Sequence, residues 1–150
     1  MNNQKNNQPL VSIIMNCYNG ENFLHESINS VLSQAYENWE LIFWDNRSND
    51  KSAEIFKSYN DKRFKYYYAL EHTLLSEARN EAIKRSSGEF IAFLDIDDFW
   101  QKDKLELQLP LFRDSKVGVV YGNLFVIKGR LNKKKIFLKR KKPKGFILEE

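Results

Sequence analysis

The sequence predicts an α/β fold built around a mostly parallel sheet. Two observations carry this. Short apolar runs with the composition of buried strands alternate with amphipathic helical patterns from Leu10 to Leu94, as successive β-α-β units do. Three polar clusters, at residues 16–19, 45–50 and 95–98, each directly follow such a run. Right-handed crossovers bring the ends of parallel strands to one edge, so the three clusters point at one site.

The elements follow in order. Residues 1–9 read as a disordered leader, polar and rich in Asn and Gln. Leu10-Val-Ser-Ile-Ile-Met15 is the first strand, ending in the turn formers of Asn16-Cys-Tyr-Asn-Gly20. Leu24, Ile28, Val31 and Leu32 fall at i, i+4, i+7 and i+8, the core stripe of a helix over about 22–34. Trp39-Glu-Leu-Ile-Phe-Trp44 is the second strand, and the polar loop 45–50 offers caps for a helix over about 51–59. Phe64-Lys-Tyr-Tyr-Tyr68 is a weaker third strand. Leu75, Ala78, Ala82 and Ile83 mark a third helix that Gly88 terminates, before the fourth strand Phe90-Ile-Ala-Phe-Leu94. Leu105, Leu109 and Phe112 suggest a further helix, disturbed by Pro110. Residues 117–121 and 124–127 read as strands around Gly122-Asn123, with a last short strand near 136–138.

At 150 residues, 42% hydrophobic and 29% charged, the chain suits one ordinary domain with a core that needs no staples. Cys17 is the single cysteine, which excludes an intrachain disulfide and fits a reducing compartment. No apolar run approaches the roughly 18 residues of a membrane span. The net charge of +4 hides a split. Residues 1–114 carry 13 Lys/Arg against 18 Asp/Glu, and residues 115–150 carry 11 against 2. Ten of those cations lie in residues 128–144. Such a run is either a solvated segment or a contact for anionic lipid headgroups. Without a recognisable fold signature it gives no reason to expect nucleic acid as a partner.

Asp95, Asp97 and Asp98 are the strongest chemical signal. Folding does not ask for three carboxylates within four residues at the end of a buried strand. Together they suit Mg²⁺ or Mn²⁺, which takes one or two carboxylates plus substrate phosphate oxygens. The competing structural reading is an acidic loop that caps the next helix. Asp45 could accept from a base or sugar edge, or close an Asx-turn. Tyr18 could stack on a nucleobase, or simply pack at the surface. Arg79 could reach a diphosphate, or be a solvated helix charge. Cys17 reads as a small buried side chain. His25 and His72 stand alone, and no zinc spacing, nucleophile elbow or phosphate-binding loop is present.

Taken together, the sequence resembles the N-terminal half of a family 2 glycosyltransferase, an inverting nucleotide-sugar enzyme of the GT-A fold. The resemblance covers about residues 10–123. It rests on Val11-Ser-Ile-Ile-Met-Asn-Cys-Tyr-Asn19, Ser30-Val-Leu-Ser-Gln34, Glu40-Leu-Ile-Phe-Trp-Asp45 with Ser48 and Asp50, Glu77-Ala-Arg-Asn80, Ser87-Gly-Glu-Phe-Ile91 and Phe93-Leu-Asp-Ile-Asp-Asp98. The resemblance implies a Rossmann-like three-layer α-β-α sandwich. It places Asn16 and Tyr18 at the nucleotide base, which Asp45 would hydrogen-bond, and Arg79 near base and diphosphate. Asp95 and Asp97 would form the family's DXD motif, with Asp95 nearer the ribose and Asp97 or Asp98 nearest the metal. The chain departs from the family where Asn16-Cys17 replaces Pro-Thr, and where Asp45-Asn-Arg-Ser48 replaces Asp-Asp-Gly-Ser.

The expected function is therefore sugar transfer, with inversion, from a UDP- or dTDP-linked donor to a hydroxyl of a glycan or lipid-linked acceptor. Residues 10–127 would hold the donor, and residues 128–150 would lead into an acceptor-binding half. The general base is expected beyond Glu150, so no catalytic residue is assigned. The expected location is the cytoplasm, with peripheral attachment at the inner membrane face through residues 128–144 as an option. Two alternatives compete. Asp95 and Asp97 could belong to a phosphohydrolase of the haloacid dehalogenase type, although that motif expects Thr or Val where Phe99 stands and normally opens its domain. The chain could also be a non-catalytic membrane-binding module.

Overall fold

The structure, a computed structural model, describes residues 8–122, 125–128 and 133–136. Two compact units divide the chain, Met1–Leu105 and Glu106–Glu150. In the first unit, strands β1 (Val11–Cys17), β2 (Trp39–Asp45), β3 (Phe64–Tyr68) and β4 (Phe90–Phe93) form one sheet in the order β3-β2-β1-β4, every pair parallel. Helices α1 (Leu24–Leu32), α2 (Ser52–Ser58) and α3 (Leu75–Ile83) make the connections. Every residue of β1 and β2 is buried, as central parallel strands covered on both faces must be.

The strand order explains the layers. From β1 to β3 the chain steps one way along the sheet, and from β3 to β4 it steps back past two strands. With right-handed crossovers, α1 and α2 then share one face and α3 takes the other. Accordingly, α1 packs on α2, and α3 packs on β1 and β2. Ile14, Ile42 and Trp44 meet Ala78 and Ala82 of α3. On the opposite face Phe43 stacks on Phe56 of α2, with ring centroids 4.2 Å apart. The expected α/β three-layer fold is present. Of the predicted stripe on α1, Leu24, Ile28 and Val31 are fully buried, but Leu32 lies at the rim.

The N-terminal edge of the sheet is tied by one buried carboxylate. Glu40 of β2 accepts from Ser12 Oγ of β1 at 2.5 Å and from the Ser87 backbone N–H, just before β4, at 2.7 Å. Lys65 Nζ of β3 lies 2.5 Å from its other oxygen. Burial pushes this carboxyl up, but the hydrogen bonds from Lys65, Ser12 and Ser87 outweigh it and hold the group at about 2. Gly88 completes the knot by donating its N–H to Ser12 Oγ at 2.7 Å. A Cβ at Gly88 would stand 2.6 Å from the Ser12 nitrogen and 2.7 Å from the Leu10 oxygen. The Ser87-Gly88 and Glu40 pieces of the family pattern are therefore structural in this chain.

Some expectations change. Residues 1–7 of the leader lie outside the described residues, and its last two are pinned. Tyr36 Oη donates to the Pro9 carbonyl at 2.5 Å and Asn38 Nδ2 to that of Gln8 at 2.6 Å. The helix expected around Pro110 is a short α4 (Lys104–Gln108) followed by a 3₁₀ turn, Leu109–Arg113, with Pro110 in its first turn, where a missing N–H costs nothing. Residues 117–121 form no strand. Val117 N–H closes a turn onto the Asp114 carbonyl, and Val119 is 67% exposed, so its apolar side chain has no face to cover. Strands β5 (Phe125–Lys128) and β6 (Lys133–Ile136) pair antiparallel. The last strand thus ends where it was expected to begin, and residues 137 and 138 lie outside the described residues. So does most of the basic run 128–144. Among the described residues no helix is long and apolar enough to cross a membrane.

Candidate functional site

Because all four strands are parallel, their C-terminal ends share one edge, and the strand order reverses between β1 and β4. Such a reversal opens a crevice in which ligands of α/β sheets bind. Two loops are clasped there. Backbone N–H groups of Asn19, Gly20 and Glu21 donate to Ser48 Oγ, Ser52 Oγ and Asp50 Oδ2 at 2.9–3.0 Å. In return Asn49 N–H donates to Asn19 Oδ1 at 2.9 Å and Lys51 N–H to Glu21 Oε2 at 3.0 Å. Asn19 adopts φ +53° and Arg47 φ +73°. The left-handed region suits Asn and strains Arg, and Arg47 stands where the family pattern has glycine. Its guanidinium is held 3.3 Å from the Leu70 carbonyl and over the Tyr68 ring. Gly20 lets a further loop approach, since a Cβ there would meet Ile96 Cδ1 at 2.4 Å. Burial pushes the Cys17 thiol up, which keeps it protonated and unreactive.

A cavity of about 270 Å³ opens at this edge, on the α3 face of the sheet. Asn16, Cys17 and Tyr18 line it from β1 and its loop, Asn46 from the end of β2, His72 and Thr73 from the loop after β3, and Leu74, Leu75 and Ala78 from the start of α3. Asn16 is 9% exposed, and neither Oδ1 nor Nδ2 of its amide has a hydrogen-bond partner. The other buried side-chain atoms without a partner among the described residues are the indole nitrogens of Trp39 and Trp44, which do not line the cavity. Tyr18 is half exposed, and its ring lies 4.3 Å from that of His72.

Asp45 is placed differently from Asn16. It is fully buried, accepting from Ser48 N–H at 2.7 Å through Oδ1 and from Tyr66 Oη at 2.7 Å through Oδ2. Burial and this bond push the Tyr66 hydroxyl far up. Asp45 thus ties the loop back on itself through the N–H three residues on, and its neighbour Asn46 lines the cavity. Asn46 in turn holds the loop after β3, donating to the Thr73 carbonyl at 2.8 Å and accepting from Thr73 N–H at 3.2 Å. In the sequence Asn46 and Thr73 belong to no chemical motif and His72 reads as a lone histidine. Their signal was topological, because β3 is parallel to its neighbours and its following loop reaches the same edge.

The acidic cluster follows β4. Arg79, next to Ala78 on α3, donates through Nη2 to Asp95 Oδ1 at 2.6 Å, with its guanidinium over the Phe93 ring. Asp98 N–H closes a turn onto the Asp95 carbonyl at 3.0 Å, leaving Asp95, Asp97 and Asp98 all exposed. Partial desolvation against its neighbours, with the negative charges of Asp97 and Asp95, pushes the Asp98 carboxyl up even though the side chain reaches solvent. Among the described residues no group of three or more His, Cys, Asp and Glu side chains forms a ready metal cage.

Comparison with known proteins decides the family. The profile of glycosyl transferase family 2 matches residues 12–148. The chain belongs to this family. It is 42% identical over 118 residues to the Escherichia coli UDP-Glc:alpha-D-GlcNAc-diphosphoundecaprenol beta-1,3-glucosyltransferase WfgD, covering 79% of this chain and 47% of that protein. It is 35% identical over 119 residues to WfaP, an E. coli protein that bears the same enzyme name, with the same coverage. The chain thus spans about half the length of these relatives. Among solved structures, S. aureus TarS 1-349 in complex with UDP-GlcNAc is 29% identical, with a TM-score of 0.65 over 71% of this chain and 31% of that one. The mannosyltransferase PcManGT of Pyrobaculum calidifontis shares the fold at 22% identity, with a TM-score of 0.70 over 75% of this chain and 35% of that one. These neighbours are GT-A glycosyltransferases, in agreement with the parallel sheet and its flanking helices. The phosphohydrolase alternative is not favoured.

Proposed function

We propose that this chain carries the donor half of an inverting glycosyltransferase, binding a UDP- or dTDP-linked sugar for transfer to a hydroxyl of a glycan or lipid-linked acceptor. The observation that carries this reading is the unpartnered Asn16 amide in the cavity, whose wall includes Ala78, the neighbour of Arg79 on α3. A buried amide without partners is costly, and a base edge offering a carbonyl next to an N–H would satisfy both of its ends. WfgD uses a UDP-sugar and a diphosphoundecaprenol-linked acceptor by its name, and TarS holds UDP-GlcNAc. Both support the donor class, and the first supports a lipid-linked acceptor.

In this reading Tyr18 offers a ring to the base, and Arg79 a cation to the diphosphate. Asp97 and Asp98 would hold Mg²⁺ or Mn²⁺. Their hard, exposed carboxylates fit that ion, because it takes one or two such ligands and completes its shell with phosphate and water. When bound, the cation offsets charge that develops on the leaving nucleoside diphosphate. Asp95 orients Arg79, and the acceptor hydroxyl would attack the anomeric carbon from the face opposite the diphosphate. No residue described here is assigned as general base.

Calorimetric titration of the chain with UDP, dTDP and GDP, with and without Mn²⁺, tests the proposal. Metal-enhanced binding of UDP or dTDP is expected. Absence of binding by all three nucleotides would overturn it.

A further inference from the structure

His72 lies at the mouth of the cavity with its orientation fixed. Its Nδ1 is 2.8 Å from the Asn46 carbonyl oxygen. A carbonyl only accepts, so Nδ1 carries a proton, and in the neutral ring Nε2 is left as an acceptor on the far side. The ring stands 4.3 Å from that of Tyr18, tilted by 54°. Rings at this angle cannot sandwich a flat heterocycle. A base stacked on one ring meets the other at its edge. The same cavity holds the Asn16 amide, more than nine-tenths buried and unpartnered at both atoms. Asn16, Tyr18 and His72 line the same cavity, so in the donor reading an amide for a base edge, a ring face and a ring acceptor stand side by side.

We propose that His72 is a nucleoside-contacting residue of the donor site, held by Asn46 so that its free nitrogen accepts from the base or ribose. This rests on the donor reading above and goes beyond it, by naming a binding residue and assigning it to the nucleoside and not to the diphosphate. The hold on His72 comes from the Asn46 backbone carbonyl, 2.8 Å from Nδ1.

The chain has two histidines, so both imidazole signals can be followed by NMR. His25, hydrogen-bonded to Tyr59 Oη at 2.8 Å, serves as the internal reference. Uridine, UDP and inorganic pyrophosphate are titrated separately into the full chain. Uridine and UDP are expected to shift the His72 resonances and to show cross-relaxation from the base protons, while His25 stays still and pyrophosphate moves neither. His72→Ala is expected to weaken UDP binding fivefold or more. If UDP binds by calorimetry and the His72 signals do not move, the inference fails and the donor reading stands. A His72 shift with pyrophosphate and none with uridine would overturn the assignment to the nucleoside. Failure of the wild-type chain to bind UDP, dTDP or GDP overturns both.

Discussion

Arg79 reaches from helix α3 to Asp95, with 2.6 Å between guanidinium nitrogen and carboxylate oxygen. Both partners are partly exposed, at 32% and 49%, so the pair contributes at most about 1 kcal/mol to stability. A charge-assisted contact to phosphate is worth roughly 1.5–3 kcal/mol. Arg79→Ala should therefore leave the melting temperature almost unchanged while lowering UDP affinity by about tenfold or more. Melting curves and calorimetry on the same sample check both halves.

Asp97 and Asp98 sit on an exposed turn, where truncation leaves no buried charge or cavity behind. Asp97→Ala and Asp98→Ala should each abolish the increase in UDP affinity that Mn²⁺ produces, and leave circular dichroism and melting temperature intact. Unfolding of either variant would make the cluster structural and remove the metal site.

Glu40 predicts a pH dependence that has nothing to do with the donor. Its carboxyl is depressed from 4.5 to about 2 in the folded chain. The stability it contributes is fully present above pH 4.5 and is lost as pH falls toward 2. The shift corresponds to roughly 3 kcal/mol. Urea unfolding between pH 2 and 6 should show wild type falling by about this much more than Glu40→Gln. Equal slopes would mean the knot is not held by the ionised carboxylate.

Gly88 and Gly20 should respond differently to the same change. At Gly88 a Cβ collides with the Ser12 and Leu10 backbone, and at Gly20 with the end of the Ile96 side chain. Gly88→Ala should cost about 2 kcal/mol or more. Gly20→Ala should cost less stability, and should displace the turn that carries Asp95, Asp97 and Asp98. Paired unfolding and UDP titrations distinguish the two effects.

The basic run at residues 128–144 predicts a salt-sensitive surface interaction. Binding to vesicles that contain anionic phosphatidylserine should be strong at low salt and weak at high salt. Absence of binding at low salt removes the membrane contact.

Strands β1 and β2 are legible because burial on both faces leaves continuous apolar runs, while β3 and β4 are only partly buried and are marked by their place in the strand–helix alternation, and the three helices lie where apolar periodicity puts them. The site was only partly legible. Asp45 and Asn46 are adjacent polar residues in one loop, and nothing in a linear pattern tells which faces inward to Tyr66 and which faces the cavity. His72 reads as a lone histidine for another reason. Phe64–Tyr68 is a weak strand in the sequence, so little in the linear pattern marks that the loop after it reaches the same edge. Residues 117–121 failed in the opposite sense. Their local apolar pattern reads as a strand, but a strand also needs a partner and a face to cover.

The knot around Glu40 lies at one end of the strands, and the cavity, Arg79 and the acidic turn lie at the other. What keeps the strands in register is therefore physically separate from what would read a ligand. Substitutions at Asn16, Asn46, His72 or the loops that carry them can re-line the pocket without loosening the sheet. The β1–β4 unit is in that sense a chassis, with its fastening at one edge and its pocket lining at the other.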